Sequence, residues 1–142
     1  MKTRLFILIA MVVLVMAACG PSAPSAVAPV AGTEPAAVAQ VIHTAMNAQN
    51  LEAAMALIAD DAVFKNTPPS GATLTGKDAI RVWVQRQVDT KTIGEISDLK
   101  VTGDRVTFNA KATRGGAPLA GGPAAIIIKN GKITLWDFNA SP

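Results

Sequence analysis

Residues 124–140 read AAIIIKNGKITLWDFNA, two apolar runs joined by Asn130-Gly131. An Asn-Gly pair between apolar runs is a strong hairpin signal, because both residues tolerate the positive φ angles of a tight turn. Two further runs with strand-like alternation come before it, ISDLKVT at 96–102 and RVTFNAKAT at 105–113. The C-terminal half of the chain therefore predicts an antiparallel meander.

Alternation within these runs predicts which side chains face inward. Val106 and Phe108 share one face of their strand, and Trp136 and Phe138 share one face of the last strand. We expect both pairs on the inner face, because apolar side chains alternate with polar ones along these strands. Gly-Gly-Pro at 121–123 is expected to interrupt the strand between them as a bulge or an edge kink.

The apolar run 124–128 has no polar face, which for an antiparallel strand usually means that something covers its outer side. Four large aliphatic residues are expected on the outer face of the last hairpin: Ile126, Ile128, Ile133 and Leu135. An exposed apolar patch of this kind usually marks an interface. We therefore expect a homodimer that pairs through this face, since a two-fold dimer is the commonest closed assembly.

Three helical patterns precede the strands. Thr33 is the expected cap of the first helix and Asn50 of the second, which we expect to end at Asp60 and Asp61. Gln87 lies in the middle of the apolar face of the third. The apolar residues that recur at helical spacing are Val38, Val41, Ile42, Ala45, Met46, Leu51, Ala54, Met55, Ile58, Ile80, Trp83, Val84 and Val88. Helices followed by an antiparallel sheet indicate an α+β fold in which the helices cover one face.

The first twenty residues, MKTRLFILIAMVVLVMAACG, predict an export signal. The uncharged run at 5–18 is too short for a membrane-spanning helix and suits a signal-peptide core. The segment from Met16 to Cys19 resembles the lipobox of bacterial lipoproteins, in which the cysteine is acylated and becomes the mature N-terminus. We therefore expect a signal peptide at 1–18 and a lipid on Cys19, the only cysteine of the chain.

Residues 20–32, GPSAPSAVAPVAG, carry no charge and no period, which indicates a disordered tether. Cys19 and this tether would hold a domain of residues 33–142 to the outer side of a membrane. Gly20 is not the aspartate of a retention signal, so in a cell with two membranes we expect the outer one. The expected location is extracytoplasmic in either case.

The charge of the chain gives little indication of a nucleic-acid partner. The net charge of +3 includes Lys2 and Arg4 of the signal segment, and without them 11 basic residues stand against 10 acidic ones. Lys and Arg do not cluster on one face and are not interleaved with aromatic residues. Nucleic acid is therefore not an expected partner.

Three segments resemble the SnoaL-like branch of the nuclear transport factor two superfamily. They are MNAQNLEAAMALIADDAVFKN at 46–66, LTGKDAIRVWV at 74–84 and NGKITLWDF at 130–138, and the resemblance covers residues 36–140. It implies a cone in which a curved antiparallel sheet wraps around three helices and leaves a pocket at the open end. Members of this fold include isomerases, cyclases, epoxide hydrolases and non-catalytic domains, so the fold alone does not give the function.

The resemblance also implies where catalytic groups would lie. Ketosteroid isomerase has an aspartate base and two oxyanion-hole groups, and the matching positions here hold Asn66, Ile42 and Ala125. Because an amide cannot replace a carboxylate base, we expect no activity of that kind. An epoxide hydrolase of this fold would use two aspartates and an arginine, and the acids of this chain are expected outside the pocket.

What remains is an apolar pocket with amide groups, a normal composition for a small-molecule site. Its expected lining is Phe64, Asn66, Trp83, Gln87, Phe108, Trp136 and Phe138. His43, the only histidine, is expected on the surface because it lies off the apolar stripe of its helix. We expect no cofactor and no metal site, since one histidine and one lipidated cysteine cannot form a cluster of ligands.

These observations favour a membrane-anchored extracytoplasmic lipoprotein with a non-catalytic SnoaL-like domain that binds a small apolar ligand or a protein partner. The alternative is a SnoaL-like isomerase, cyclase or hydrolase that uses Asn66 and a pocket-bound water. A second open point is whether the aromatic side chains line a pocket or simply fill the core.

Overall fold

The computed structural model describes residues 34–140. The expected signal peptide at 1–18, Cys19, the tether and the expected helix cap Thr33 lie outside the described residues. Three helices occur in that range: α1 Pro35–Asn47, α2 Leu51–Ala56 and α3 Lys77–Asp89. The strands are β1 Ile58–Thr67, β2 Ala72–Thr75, β3 Thr92–Thr102, β4 Arg105–Arg114, β5 Ala117–Pro118, β6 Gly122–Lys129 and β7 Lys132–Asp137. Between residues 34 and 140, no helix has the length and apolar character needed to cross a membrane.

The strands form one curved sheet in the order β2-β1-β7-β6-β4-β3, and the short β5 pairs with β4. β1 and β7 run parallel, whereas all other neighbours run antiparallel. α1 packs mainly on β3 and α3 mainly on β1, with α2 between the two helices. The expected α+β fold with helices on one face is confirmed, but the sheet is mixed rather than purely antiparallel.

The parallel pairing of β1 with β7 was not predicted, because α2 was expected to continue into residues that belong to β1. Asn50 caps α2 as predicted, since its side-chain oxygen accepts a hydrogen bond from the Ala53 amide at 3.0 Å. The helix has only six residues, and Ile58, Asp60 and Asp61 belong to β1. A short apolar run does not distinguish a helical turn from the start of a strand. The prediction that both aspartates end α2 was therefore wrong, and they are exposed residues of β1.

Three other boundaries differ from those expected. Glu34 occupies the N-cap position of α1, one residue after the expected cap Thr33, and its side chain forms no capping hydrogen bond. Ala72–Thr75, for which the sequence analysis predicted no strand, pairs with β1. The Gly-Gly-Pro segment starts β6 instead of interrupting it. Gly121 is required there, because a Cβ atom would lie 2.4 Å from the carbonyl oxygen of Ala110.

The pairing of β6 with β7 overturns the predicted outer apolar patch. Ile126 lies opposite Trp136, and Ile128 lies opposite Ile133. Directly opposed residues share a face of the sheet, and Ile126, Ile128 and Ile133 are only 0%, 3% and 0% exposed. Of the four residues assigned to the patch, Leu135 alone is partly exposed. The surface that was expected to mediate a homodimer does not form.

The physical reason is a register shift between the pairs Ile127–Leu135 and Ile128–Ile133. The irregularity lies in β7, and it brings Ile133 to the inner face although simple alternation would place it beside Leu135. β6 is apolar on both faces, so its sequence alone cannot tell which face is inner. Ala125 pairs with Asp137 and Ile127 with Leu135, so both lie on the face opposite Ile126 and Ile128, where Ala125 is itself fully buried.

Candidate functional site

Five aromatic side chains form one continuous cluster between the helices and the inner face of the sheet, a region called the interior below. The aromatic cluster consists of Phe64 on β1, Trp83 on α3, Phe108 on β4, Trp136 on β7 and Phe138 just after β7. The rings of Trp136 and Phe138 stack with centroids 4.8 Å apart and planes inclined by 9°. The other three rings meet these two at centroid distances of 5.1–6.3 Å in tilted or edge contacts, which are favoured arrangements for aromatic pairs.

All five aromatic residues thus face inward, as the sequence predicted, and they pack against one another as part of the hydrophobic core. Phe64, Phe108 and Trp136 are almost fully buried, and Phe138 remains partly exposed. Phe138 is held in place because its backbone amide donates to the carbonyl of Lys65 at 3.0 Å, which extends the pairing of β7 with β1. The cluster therefore reaches from the centre of the interior to its rim.

The two tryptophans differ in the partner of their indole N–H. Trp83 Nε1 donates to the backbone carbonyl of Pro68 at 2.9 Å. Trp136 Nε1 is buried and has no hydrogen-bond partner within residues 34–140. A buried polar group that is left unpaired costs about 1–3 kcal/mol. The Trp136 N–H is therefore a buried donor that residues 34–140 leave unpaired.

His43 is half-buried with its ring turned inward, which corrects the prediction that it lies on the surface. Its ring packs edge-on against Phe108 and Trp136, with centroid distances of 5.5 and 5.3 Å. The Nε2 atom is buried and has no hydrogen-bond partner in the described part of the chain. Burial lowers the pKa of His43 from 6.5 to about 4, because the charged form is poorly solvated there. His43 is therefore a neutral imidazole at physiological pH.

The contact of α1 with β3 explains why His43 faces inward. Asn47, one turn after His43, donates from Nδ2 to the carbonyl of Gly94 at 2.7 Å and accepts from the Gly94 amide at 2.8 Å. A Cβ atom on Gly94 would lie 3.3 Å from His43 Nδ1. The curved sheet thus covers a second side of α1, beyond the stripe that contains Ile42. The sequence signal for this contact is the i, i+4 spacing of a histidine and an asparagine on one face of the helix.

Gln87 is buried on the inner face of α3, as predicted, with 7% exposure. Thr67 is the other buried polar residue within residues 34–140. Its hydroxyl donates to the carbonyl of Ala72 at 2.8 Å. The polar groups that the described interior offers are therefore mainly neutral nitrogen atoms and an amide.

Asn66 does not lie in the interior, contrary to the prediction. It is exposed, has a positive φ of 56°, and donates from Nδ2 to Asp137 Oδ1 at 2.8 Å. This hydrogen bond lowers the pKa of Asp137. The irregular end of β1 turns the Asn66 side chain to the outside, where it joins the strand to β7.

The interior contains no carboxylate from the described residues. Asp137 is partly exposed, and the other nine acidic side chains of the chain are exposed. The positions matched to the oxyanion-hole groups of ketosteroid isomerase hold Ile42, buried in the core, and Ala125 on the outer face of the sheet. Within residues 34–140, no three His, Cys, Asp or Glu side chains are grouped so that they could hold a metal ion.

Two surface depressions lie on α3 rather than in the interior. One, of about 440 Å³, is a groove along the exposed side of the helix, lined by Arg81, Val82, Gln85, Arg86 and Asp89. The other, of about 370 Å³, lies at the N-terminus of the helix and is lined partly by Asp60 and Asp78. Neither contains an aromatic side chain, so neither has the composition of the predicted pocket.

Comparisons with known proteins agree with this geometry. A family model described as a SnoaL-like domain matches residues 38–136, whereas a comparison with curated proteins finds no match. An uncharacterized cystatin-fold protein from Novosphingobium aromaticivorans is 24% identical at a TM-score of 0.65, and the match covers 77% of this chain and 100% of that one. A computationally designed 17-OHP binder is 19% identical at a TM-score of 0.66, covering 77% and 92%. An LEH-like epoxide hydrolase from M. tuberculosis is 16% identical at a TM-score of 0.63, covering 72% and 79%.

Proposed function

The chain belongs to the SnoaL-like domain family, and from that premise we propose that it is a non-catalytic binding protein for a small apolar molecule. The ligand binds in the interior, against the aromatic cluster. The domain is held at the outer side of a bacterial membrane by a lipid on Cys19. The protein thus acts as an anchored extracytoplasmic receptor or carrier.

One observation carries the proposal: the aromatic cluster encloses neutral polar atoms and no carboxylate. Sites for small organic molecules are mostly lined by apolar and aromatic side chains, with a few polar atoms that orient the ligand. Here those atoms are His43 Nε2 and Trp136 Nε1, both buried and unpaired within residues 34–140. This composition supports binding by shape and a small number of hydrogen bonds.

The same composition argues against acid–base catalysis. A general base works best when its pKa lies near the working pH, and the pKa of His43 is lowered to about 4. The alternative of an isomerase, cyclase or hydrolase with a water held by Asn66 loses its residue, because Asn66 is exposed and bonded to Asp137. The likeness to an epoxide hydrolase, at 16% identity, supports a common fold and not a common reaction.

A protein partner is the other occupant that the sequence left open. An interface would need an exposed apolar surface, and three of the four residues expected to form one lie in the core. The interior contains more of the domain's large apolar side chains than its surface does. A small molecule is therefore the better-supported ligand.

Anchoring rests on the sequence from Met16 to Cys19 and on Cys19 being the only cysteine. An exported protein with a single free thiol would be open to oxidation unless the thiol were capped, and a thioether-linked lipid is such a cap. We expect Cys19→Ser to release the protein from the membrane fraction of expressing bacteria, with altered N-terminal processing. Normal processing and full membrane retention of that variant would contradict the anchor.

Binding can be measured through the two tryptophans, Trp83 and Trp136, which both belong to the aromatic cluster. The mature chain (19–142) carrying Cys19→Ser can be titrated with N-phenyl-1-naphthylamine, a neutral apolar dye that accepts energy from tryptophan. We expect saturable binding of one dye per chain, with energy transfer from the protein. Val82→Asp is the matched control, because Val82 is 63% exposed in the α3 groove and its loss leaves interior binding unchanged. No saturable transfer, or transfer abolished by Val82→Asp, would contradict an interior site.

A further inference from the structure

Two turns that are far apart in the sequence lie side by side at one end of the sheet. The turn between β3 and β4 and the turn between β6 and β7 are neighbours because β4 pairs with β6. The amide of Ile128, near the end of β6, donates to the carbonyl of Asp104 in the first turn at 2.8 Å. Residues 100–105 and 129–132 are called the hairpin end below.

The hairpin end is the positive part of the domain. It holds one acidic residue, Asp104, and four basic residues: Lys100, Arg105, Lys129 and Lys132. The rest of residues 34–140 holds seven basic and nine acidic residues. The sequence gave no sign of this cluster, because its two segments are far apart along the chain and only the pairing of β4 with β6 brings them together.

The cations of the hairpin end have no ion-pair partner among the residues that the structure describes. Lys129 and Lys132 lie directly opposite each other across the β6–β7 hairpin, and like charges at opposed positions destabilise a strand pair. The ammonium group of Lys132 donates to the neutral carbonyl of Ala56, and Lys129 is exposed. An anionic surface would offset the repulsion between these two lysines.

An apolar side chain is exposed beside these cations. Val101 is 48% exposed, although it lies opposite the fully buried Val106. Proteins that bind at the surface of a membrane combine burial of apolar side chains with electrostatic attraction to anionic lipids. The hairpin end offers both.

The chain also enters the domain at the hairpin end. Asn47 fixes the last turn of α1 at Gly94, whereas His43, one turn earlier, contacts Phe108, which lies nearer to the hairpin end than Gly94 does. α1 therefore runs from the hairpin end towards the start of β3. Its 13 residues extend over roughly 20 Å, and the strand from Gly94 to Val101 extends over roughly 23 Å. The first turn of α1 thus lies at about the level of Val101.

This inference rests on the lipid anchor of the proposed function. We propose that the hairpin end is a second contact with the membrane, which binds the anionic phospholipid headgroups of the bilayer that holds Cys19. The four cations lie among the lipid phosphates, and Val101 enters the headgroup layer.

The anchor makes a weak contact of this kind sufficient. The tether predicted at 20–32 would span roughly 20 Å as a flexible chain, so the lipid on Cys19 keeps the start of α1 within about that distance of the bilayer. Each lysine or arginine close to an anionic bilayer strengthens binding about fivefold. The three net positive charges of the hairpin end thus contribute on the order of 100-fold. That is little for a protein free in solution but enough for a domain already held at the surface.

Nucleic acids and acidic proteins also attract a group of cations. The bilayer is favoured because the anchor keeps it within reach of the hairpin end at all times. Electrostatic binding to a phosphate backbone makes no use of an exposed valine, whereas a headgroup layer buries one.

The test compares the two ends of β3 in the full-length lipidated protein. Cys19 is the only native cysteine and the lipid blocks it, so Val101→Cys supplies a single thiol for a polarity-sensitive nitrobenzoxadiazole dye. Ile93→Cys is the matched control, because Ile93 is 38% exposed on the same strand. Each labelled protein is reconstituted in vesicles of phosphatidylcholine, alone or mixed with phosphatidylglycerol.

The dye at position 101 should brighten roughly twofold when phosphatidylglycerol is present, because it moves from water into the headgroup layer. This gain should be lost at about 1 M salt, where the screening length falls to about 3 Å. The dye at position 93 should fluoresce equally in both kinds of vesicle. Equal responses at the two positions, or no response at position 101, would overturn the contact.

A second readout uses neither a dye nor the natural lipid. The mature chain carrying Cys19→Ser is sedimented with vesicles of phosphatidylglycerol. Lys100→Glu combined with Lys129→Glu should weaken binding by at least about 25-fold, since each lysine contributes about fivefold. Lys91→Glu combined with Lys111→Glu is the matched control, because it changes the net charge equally at exposed lysines outside the hairpin end. Equal losses in the two double variants would overturn the contact.

The outcomes separate this inference from the proposed function. A full-length chain that is absent from the membrane fraction would overturn the anchor and the inference that rests on it. An anchored chain whose two dyes respond alike would leave the anchor standing and overturn the hairpin end alone. Tighter binding to a DNA duplex than to phosphatidylglycerol vesicles would assign the cations to nucleic acid and overturn the membrane contact. A response at position 101 only, with vesicle binding lost only in the Lys100 and Lys129 double variant, supports it.

Discussion

Asn47 and Gly94 exchange two hydrogen bonds, from Asn47 Nδ2 to the Gly94 carbonyl at 2.7 Å and from the Gly94 amide to Asn47 Oδ1 at 2.8 Å. The side-chain amide thereby takes the place of a neighbouring strand along the free edge of β3. The same contact fixes the last turn of α1 on the sheet. It therefore also sets the position of His43, four residues earlier on that helix.

Asn47→Ala should destabilise the domain by about 1–2 kcal/mol, because it removes two hydrogen bonds and leaves partly buried backbone groups to water. Urea unfolding followed by circular dichroism gives the free energy of unfolding. Asn139→Ala is the matched control, since Asn139 is exposed and should lose little stability. Equal effects of the two substitutions would contradict a bracing role for Asn47.

Gly94→Ala should also destabilise the domain, by about 1 kcal/mol, because the added methyl group is forced against a packed ring. The new Cβ atom would lie 3.3 Å from His43 Nδ1, so the imidazole would have to shift by a few tenths of an ångström. At Gly122 a Cβ atom would meet nothing within 4 Å, so Gly122→Ala serves as the control. A comparison of thermal unfolding midpoints decides the matter, and a Gly94→Ala midpoint at or above that of Gly122→Ala would contradict the packing described.

Acid should weaken the domain through His43. Because burial lowers the pKa of folded His43 from 6.5 to about 4, the unfolded chain binds a proton more readily between these two pH values. Stability is therefore retained above pH 6.5 and is lost as the pH falls towards 4. The loss approaches about 3 kcal/mol, since one pKa unit corresponds to about 1.4 kcal/mol.

Urea unfolding at several pH values isolates this contribution when it is repeated with His43→Phe. Carboxylates such as Asp137, whose pKa is lowered by its hydrogen bond with Asn66, lose stability at acid pH in both proteins. Only the difference between the two proteins belongs to His43. A nuclear magnetic resonance titration of the single histidine with an apparent pKa near 6.5 would show that the ring is not buried.

Adjacent residues of β6 should respond in opposite ways to a charge. Ile128 is 3% exposed and faces the core, so Ile128→Lys buries an unpaired ammonium group and should unfold the domain. Ile127 is partly exposed on the outer face, and Ile127→Lys should leave a folded protein. Circular dichroism of both variants tests the register of β6 directly. A folded Ile128→Lys together with an unfolded Ile127→Lys would restore the face assignment first expected from the sequence.

The elements that the sequence predicted well have a regular period. α1 and α3 repeat apolar residues at helical spacing, and the Asn130-Gly131 turn marks the hairpin of β6 and β7. β1 was missed because Leu57 and Ile58 continue the apolar pattern of α2, and it is the pairing of β1 with β7 and with β2 that shows it to be a strand. Long-range pairing of this kind leaves no local signal in the chain.

The candidate site was predicted in its aromatic part and missed in its polar part. Large apolar rings belong in the interior whichever element carries them, so Phe64 and Trp136 needed no exact register. His43 was assigned to the surface because one buried stripe was assumed for α1, whereas a curved sheet covers two sides of the helix. Asn66 was assigned to the interior because it matches the position of the base in ketosteroid isomerase, whereas here its φ is positive at the irregular end of β1 and its side chain is exposed.

The most direct test of the ligand site is native mass spectrometry of the full-length protein, purified in detergent from the membranes of the bacteria that produce it. We expect a complex of one chain with one small apolar molecule, released when the chain is denatured. Trp136→Phe, purified in parallel, should retain less of that molecule. A chain that is folded by circular dichroism, carries only its own lipid and detergent, and also fails to bind N-phenyl-1-naphthylamine would contradict the account.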